Sequence, residues 1–206
     1  MINLGMLSKD RSNLDEIAKN LSEEDIGGLV TLLESKEDDL RYPAFLLLQR
    51  RSEIQGDVYP YWDEFVDKLK DSNSYQRSIG CMLLAENVRW DREKRLEKIL
   101  ESYLSHCQDE KFITSRQTIQ SIRRWLPLHP ELFPVITETL NKINIESLKD
   151  TQRKLILTDI FEVLLDIQAI QPSKPVSDYL FQGLSGGLVD RKMIKRIEQA
   201  LQGRET

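Results

Sequence analysis

Asp38-Asp39-Leu40-Arg41-Tyr42-Pro43-Ala44-Phe45-Leu46-Leu47-Leu48 is the stretch that decides the fold. It opens on two acids, carries an arginine in its first turn, and continues with apolar residues at helical spacing. Leu40, Ala44, Leu47 and Leu48 fall on one side together with Arg51, which predicts a helix over 38–54. Gly56-Asp57 ends it.

Aligning the chain on that first-turn arginine gives Arg41, Arg77, Arg116 and Arg153, separated by 36, 39 and 37 residues. Each follows an acidic or amide-bearing turn: Asp38-Asp39, Asn73, Asp109 and Asp150. Three positions on come Ala44, Gly80, Ile119 and Ile156. Six positions on come Leu47, Leu83, Ile122 and Asp159, and seven on come Leu48, Leu84, Arg123 and Ile160. The third unit departs most. One helix pair cannot bury its apolar face alone, so such pairs are expected to stack and share a core. Ala44 and Gly80 are expected to let helices of adjoining pairs approach closely. The turn acid and the arginine can bond to each other and to backbone groups of the neighbouring unit.

Outward from this frame the pattern stays helical, with almost no period-2 alternation. Ser22-Glu23-Glu24-Asp25 reads as an N-cap and acidic first turn ahead of Ile26, Leu29, Val30, Leu32 and Leu33. Further helices are predicted over 59–69, 74–87, 92–107, 112–126, 131–143 and 148–167. Short connectors make neighbouring helices antiparallel. Residues 1–21 read as an N-terminal cap and 22–168 as the repeats. Residues 176–202 supply C-terminal capping helices, divided by Ser185-Gly186-Gly187. The last helix, over 190–201, sets Met193, Ile194, Ile197 and Leu201 against a basic face of Arg191, Lys192, Lys195 and Arg196. A polar-faced terminal cap is the expectation, because a stacked array needs one. The whole chain, 1–206, reads as a single domain.

Here the chain resembles the HEAT-repeat family of α-solenoids. The resemblance covers about residues 22–168 and rests on Asp38/Arg41, Asn73/Arg77, Asp109/Arg116 and Asp150/Arg153. It implies an all-α right-handed superhelix of about four helix pairs with capping helices. It also implies a scaffold or binding module that presents the second helix of each pair.

No catalytic chemistry stands out. The two histidines are His106, beside Cys107, and His129, ahead of a helix where an exposed capping role is expected. Adjacent helical residues point about 100° apart, which disfavours a His–Cys nucleophile pair. HExxH, P-loop, GxGxxG and GxSxG motifs are missing, and His and Cys are too few for a transition-metal site. No catalytic residue, cofactor or metal is therefore expected. Gly27-Gly28 reads as a close helix contact. With two cysteines, no apolar run near ~18 residues and no basic leader, neither a signal peptide nor a membrane span is expected, and cytoplasm is the expected compartment.

The net charge of −5 excludes a globally basic nucleic-acid binder. Basic residues gather near the ends of the second helices: Arg50-Arg51, Arg89 with Arg92, and Arg123-Arg124. They do not keep repeat register; nine positions after the marker arginines stand Arg50, Glu86, Trp125 and Glu162. A mixed face suits protein recognition better than phosphate tracking. The expected partner is another protein, docking around Arg50, Arg51, Arg89, Trp90, Arg123 and Arg124, with Trp90 and Trp125 as possible anchors. The alternative is DNA base repair. Tyr61-Trp62-Asp63-Glu64-Phe65 resembles the tryptophan–aspartate stretch of HEAT-like alkylpurine DNA glycosylases, which would need Trp62 or Trp90 exposed in a positive cleft.

Overall fold

The structure is a computed structural model that describes residues 12–185 and 187–202. Among these every regular element is helical, with no strand. None of the helices is long and apolar enough to cross a membrane. Residues 1–11 of the expected N-terminal cap and Gly186 of the expected linker lie outside the described residues. The chain divides into two compact units, residues 1–100 and 101–206.

The first unit holds α1 (Leu14–Lys19), α2 (Glu23–Leu32), α3 (Asp38–Ile54), α4 (Trp62–Lys68) and α5 (Ser74–Asn87). The start of α2 is a capping box. The Ser22 hydroxyl accepts the Asp25 amide at 3.1 Å, and the Asp25 carboxylate accepts the Ser22 amide at 3.0 Å. Helix α3 packs against α1, α2 and α5, and α4 packs against α5. Leu47, Leu48, Phe65, Leu83 and Leu84 are fully buried, each contributing about 1.5–3 kcal/mol of transfer free energy. A buried polar string crosses the same interior. Lys68 donates to Gln76 Oε1 at 2.7 Å, Gln76 Nε2 donates to the Leu33 carbonyl at 2.7 Å, and Asn87 Nδ2 donates to Ser52 Oγ at 2.9 Å. Lys68 also pairs with Glu34. The C-terminal end of α2 is thereby satisfied by side chains of the next helix pair.

Two expected helices begin three residues later than the pattern suggested, and those expected over 131–143 and 148–167 begin two residues later, at Phe133 and Asp150. The 59–69 segment opens as a 3-10 turn, Tyr59–Tyr61, around Pro60 before α4 starts. The 92–107 segment becomes α6 only at Arg95 (Arg95–Ser105, crossing residue 100). The Asp91 carboxylate caps it, accepting the Arg95 amide at 2.9 Å and the Leu96 amide at 2.8 Å. Lys94, at φ 55°, turns the chain into that cap.

The second unit holds the rest of α6, then α7 (Phe112–Trp125), α8 (Phe133–Asn141), α9 (Asp150–Ile170), α10 (Lys174–Ser185) and α11 (Arg191–Gln202). Helix α9 is the hub, packing against α7, α8, α10 and α11. Its Phe161 is fully buried, where a Cβ at Gly183 of α10 would strike its ring. Met193 and Ile197 bury the apolar face of α11.

The marker arginines have a local job. Arg41 donates to the Ser35 carbonyl at 2.9 Å, and Arg77 donates to the carbonyls of Asp71 at 2.9 Å and Ser72 at 3.0 Å. Arg153 donates to the carbonyls of Leu148 at 2.9 Å and Glu146 at 2.8 Å. Each of these three arginines thus closes the turn before its own helix. Arg41 and Arg153 also pair with Asp38 and Asp150 of their own first turns. Arg41 also stacks over the Tyr75 ring of α5, 5.4 Å from its centroid, and Arg116 reaches across to Asp159 of another helix.

The glycines need two corrections. A Cβ at Gly80 would lie 2.8 Å from the Phe65 carbonyl oxygen and 3.0 Å from Lys68 Cβ. The close approach is therefore between α4 and α5 of one pair, not between adjoining pairs. Gly27 lies under the Tyr61 hydroxyl, with 3.1 Å to an added Cβ, whereas Gly28 faces open space.

Candidate functional site

In the first unit the predicted basic residues are fastenings of helix ends. Arg51 is 5% exposed. Its guanidinium forks onto Asp57, with Nε to Oδ1 at 3.0 Å and Nη2 to Oδ2 at 2.6 Å, and donates to the Ala18 and Lys19 carbonyls at 3.0 and 2.6 Å. These last two are free carbonyls at the end of α1, which a cation satisfies well. Arg51 is therefore not available to a partner. Arg50 pairs with Glu53 and Asp15. Arg89 donates to the Glu53 carbonyl at 3.2 Å and to Glu86 at 3.3 Å. Trp90 Nε1 donates to the Ser52 carbonyl at 2.7 Å, and its ring covers Gly56, whose added Cβ would meet it at 3.0 Å. Arg89 and Trp90 together close the C-terminal end of α3. The gathering of basic residues at helix ends reflects the unsatisfied carbonyls there.

The aromatic–aspartate stretch is likewise structural. Trp62 is 1% exposed, with Arg95 5.7 Å above its ring, while Asp63 is exposed and paired with Arg95. Trp62 cannot cradle a base in that position, and the Trp90 N–H is spent on backbone. Beside them Tyr59 donates to Asp91 at 2.7 Å. Burial, and then that bond and the charge of Asp91, push its hydroxyl up to about 12.

The second unit treats Arg123 and Arg124 differently. Both are exposed on α7 and line a cleft of about 610 Å³ with Gln120 of α7 and Asp159, Glu162 and Asp166 of α9. Asp159 is buried, and it accepts Arg116 Nε at 2.5 Å, Arg116 Nη2 at 3.1 Å and Gln120 Nε2 at 2.8 Å. Arg123 forks onto Asp166, Nε at 2.5 Å and Nη2 at 3.3 Å, and its Nη1 lies 3.2 Å from Glu162. Glu162 is held from the other side by Arg196 of α11, whose Nη2 donates at 3.0 Å. Hydrogen bonding to Arg196 is the main reason the Glu162 carboxyl sits below its ordinary range. Burial opposes that shift, and the charges of Arg196, Arg123 and Lys192 add to it.

This cleft explains the weakest repeat. Asp159 breaks the apolar column at the sixth position and Arg123 breaks it at the seventh, in neighbouring units. Each break has its partner on the facing helix. Paired departures in two adjacent units were the sequence signal that could have found Asp159, Glu162 and Asp166 as site residues. The link to Arg196 left no such trace.

His106 Nδ1 lies 3.2 Å from Asp109, while the neighbouring Cys107 is buried. His129 is not an exposed cap; it is partly buried, edge-on to the fully buried Trp125, with Nδ1 2.8 Å from Glu131. Trp125 is thus core and not an anchor. Cys81 and Cys107 are both buried, and among the described residues no group of three or more His, Cys, Asp or Glu could hold a metal ion. Compared with known proteins, the chain matches no family model, no curated protein and no solved structure.

Proposed function

We propose that the chain is a HEAT-like α-solenoid of about four helix pairs and serves as a non-enzymatic protein-binding module, its partner docking on the α7–α9 face. The observation that carries the binding reading is the cleft of about 610 Å³ whose six lining residues are all polar or charged. Its fixed, mixed charges suit selection among protein partners through register and orientation. The solenoid reading is supported inside each unit by second helices lying side by side, α3 on α5 and α7 on α9. It is supported too by three marker arginines performing one task at corresponding positions.

The test starts by capturing partners on the immobilised chain and identifying them by mass spectrometry. Each captured protein is then purified and its affinity measured directly. An Arg123→Gln/Arg124→Glu variant with unchanged helical circular dichroism is expected to bind roughly tenfold or more weakly, the loss typical of central interface arginines. Equal affinity of the variant for every purified partner refutes this face.

A further inference from the structure

Two basic clusters about 70 residues apart in the sequence meet on one carboxylate in the second unit. Arg123 of α7 and Arg196 of α11 both hold Glu162. Lys192 lies one helical turn before Arg196, on the same side of α11. Arg124 lines the same cleft. Arg116 and Gln120 already satisfy Asp159. What remains around the cleft mouth is three cations, Arg123, Lys192 and Arg196, against two carboxylates, Glu162 and Asp166. Arg191 and Lys195 extend the positive side along α11, both exposed. Among the described residues Arg191, Lys192 and Lys195 make no hydrogen bond or ion pair. In a chain of net charge −5 this is a local excess of the opposite sign.

We infer that the surface joining α7 to α11 across Glu162 docks a carboxylate-rich, Asp- and Glu-bearing segment of a protein partner. The inference rests on the protein-binding reading above and names the chemistry of the partner. Charge complementarity sets the sign. The carboxylates of Glu162 and Asp166, fixed in the middle of the cations, interrupt the continuous positive track that a nucleic acid needs. A lipid surface is disfavoured as well. Met193 and Ile197, the apolar residues an interfacial helix would insert, are buried against the protein, and α11 exposes no large hydrophobic residue.

The test is fluorescence anisotropy on the intact chain with a labelled peptide of repeated Glu-Asp-Ser units. Labelled single-stranded DNA and phosphatidylserine vesicles serve as parallel probes. Lys192→Glu/Lys195→Glu is the informative variant, because neither lysine is tied into the fold. Lys36→Glu, exposed in the first unit, is the control. The peptide is expected to bind wild type and the control alike, and to bind the double variant at least about tenfold more weakly, with the difference shrinking at high salt. No binding to wild type, equal binding by the double variant, or tighter binding of DNA or vesicles overturns the inference. A purified partner that is lost with Arg123→Gln/Arg124→Glu but bound equally by Lys192→Glu/Lys195→Glu overturns this inference alone and leaves the protein-binding reading standing.

Discussion

Gly28→Ala and Gly80→Ala are the same chemical change in the middle of two helices, and the structure gives them opposite signs. In both, alanine restricts the unfolded chain equally and improves helix propensity by about 0.8–1.0 kcal/mol. At Gly28 the new methyl meets nothing within 4 Å, so that gain stands. At Gly80 it would sit 2.8 Å from the Phe65 carbonyl oxygen, a backbone atom at a fully buried residue, and 3.0 Å from Lys68 Cβ. Neither neighbour is the free end of a flexible side chain, so α4 must move away from α5. Such overpacking costs about 1–3 kcal/mol, and a backbone obstacle puts this site near the upper end. The net expectation is a gain of about 1 kcal/mol for Gly28→Ala and a loss of about 1–2 kcal/mol for Gly80→Ala. At about 2–4 °C per kcal/mol for a chain of this size, the two melting temperatures should move roughly 4–12 °C apart. Urea and thermal unfolding followed by circular dichroism measure this, and the unfolded-state contribution cancels between the variants. A Gly80→Ala chain as stable as wild type, or both variants shifting the same way, would refute the close approach of α4 and α5.

Two further substitutions probe the first unit. Arg51→Leu strands Asp57 and two carbonyls of α1, and breaking a buried pair of this kind is expected to cost about 3–5 kcal/mol, read by urea unfolding; a loss under about 1 kcal/mol would mean that the fork onto Asp57 is not formed. Tyr59 has its hydroxyl raised to about 12, chiefly by burial. Its stabilisation is therefore fully present below the ordinary tyrosine value of about 10 and is lost as pH climbs toward 12. Burial raises Tyr179 as well, so alkaline difference absorbance should show one fewer late-ionising tyrosine in Tyr59→Phe than in wild type; identical titration curves would contradict the bond to Asp91.

Helices 38–54 and 74–87 were readable to the residue because local chemistry marks both ends. Acids or Asn73 open them, and Gly56 or a change to 3-10 geometry closes them. Reading failed where a distant or backward-facing group does the work. The start of α6 depends on Asp91 folding over two amides, and the Tyr59–Tyr61 turn depends on Pro60. The candidate site was harder still. Arg50, Arg51, Arg89 and Arg123 look alike in sequence, and only tertiary position separates them. Arg51 finds the end of α1 and Arg89 the end of α3, whereas Arg123 finds the acids of α9. An ion pair spanning 34 residues, such as Glu162 with Arg196, has no local signature at all.

The hold of Arg51 on α1 also decides where the chain can be shortened. Helix α1 has six residues, too few to persist in water without support. It stands because a guanidinium rooted in α3 occupies its last carbonyls and Ala18 is buried. The obligation runs in both directions. A chain trimmed to begin at Ser22 would keep every residue of α3, yet Arg51 would face water where two acceptors had been. Residues 14–19 therefore behave as a removable part only on paper. In hydrogen exchange their amides should open together with the end of α3 and not as a fraying tail.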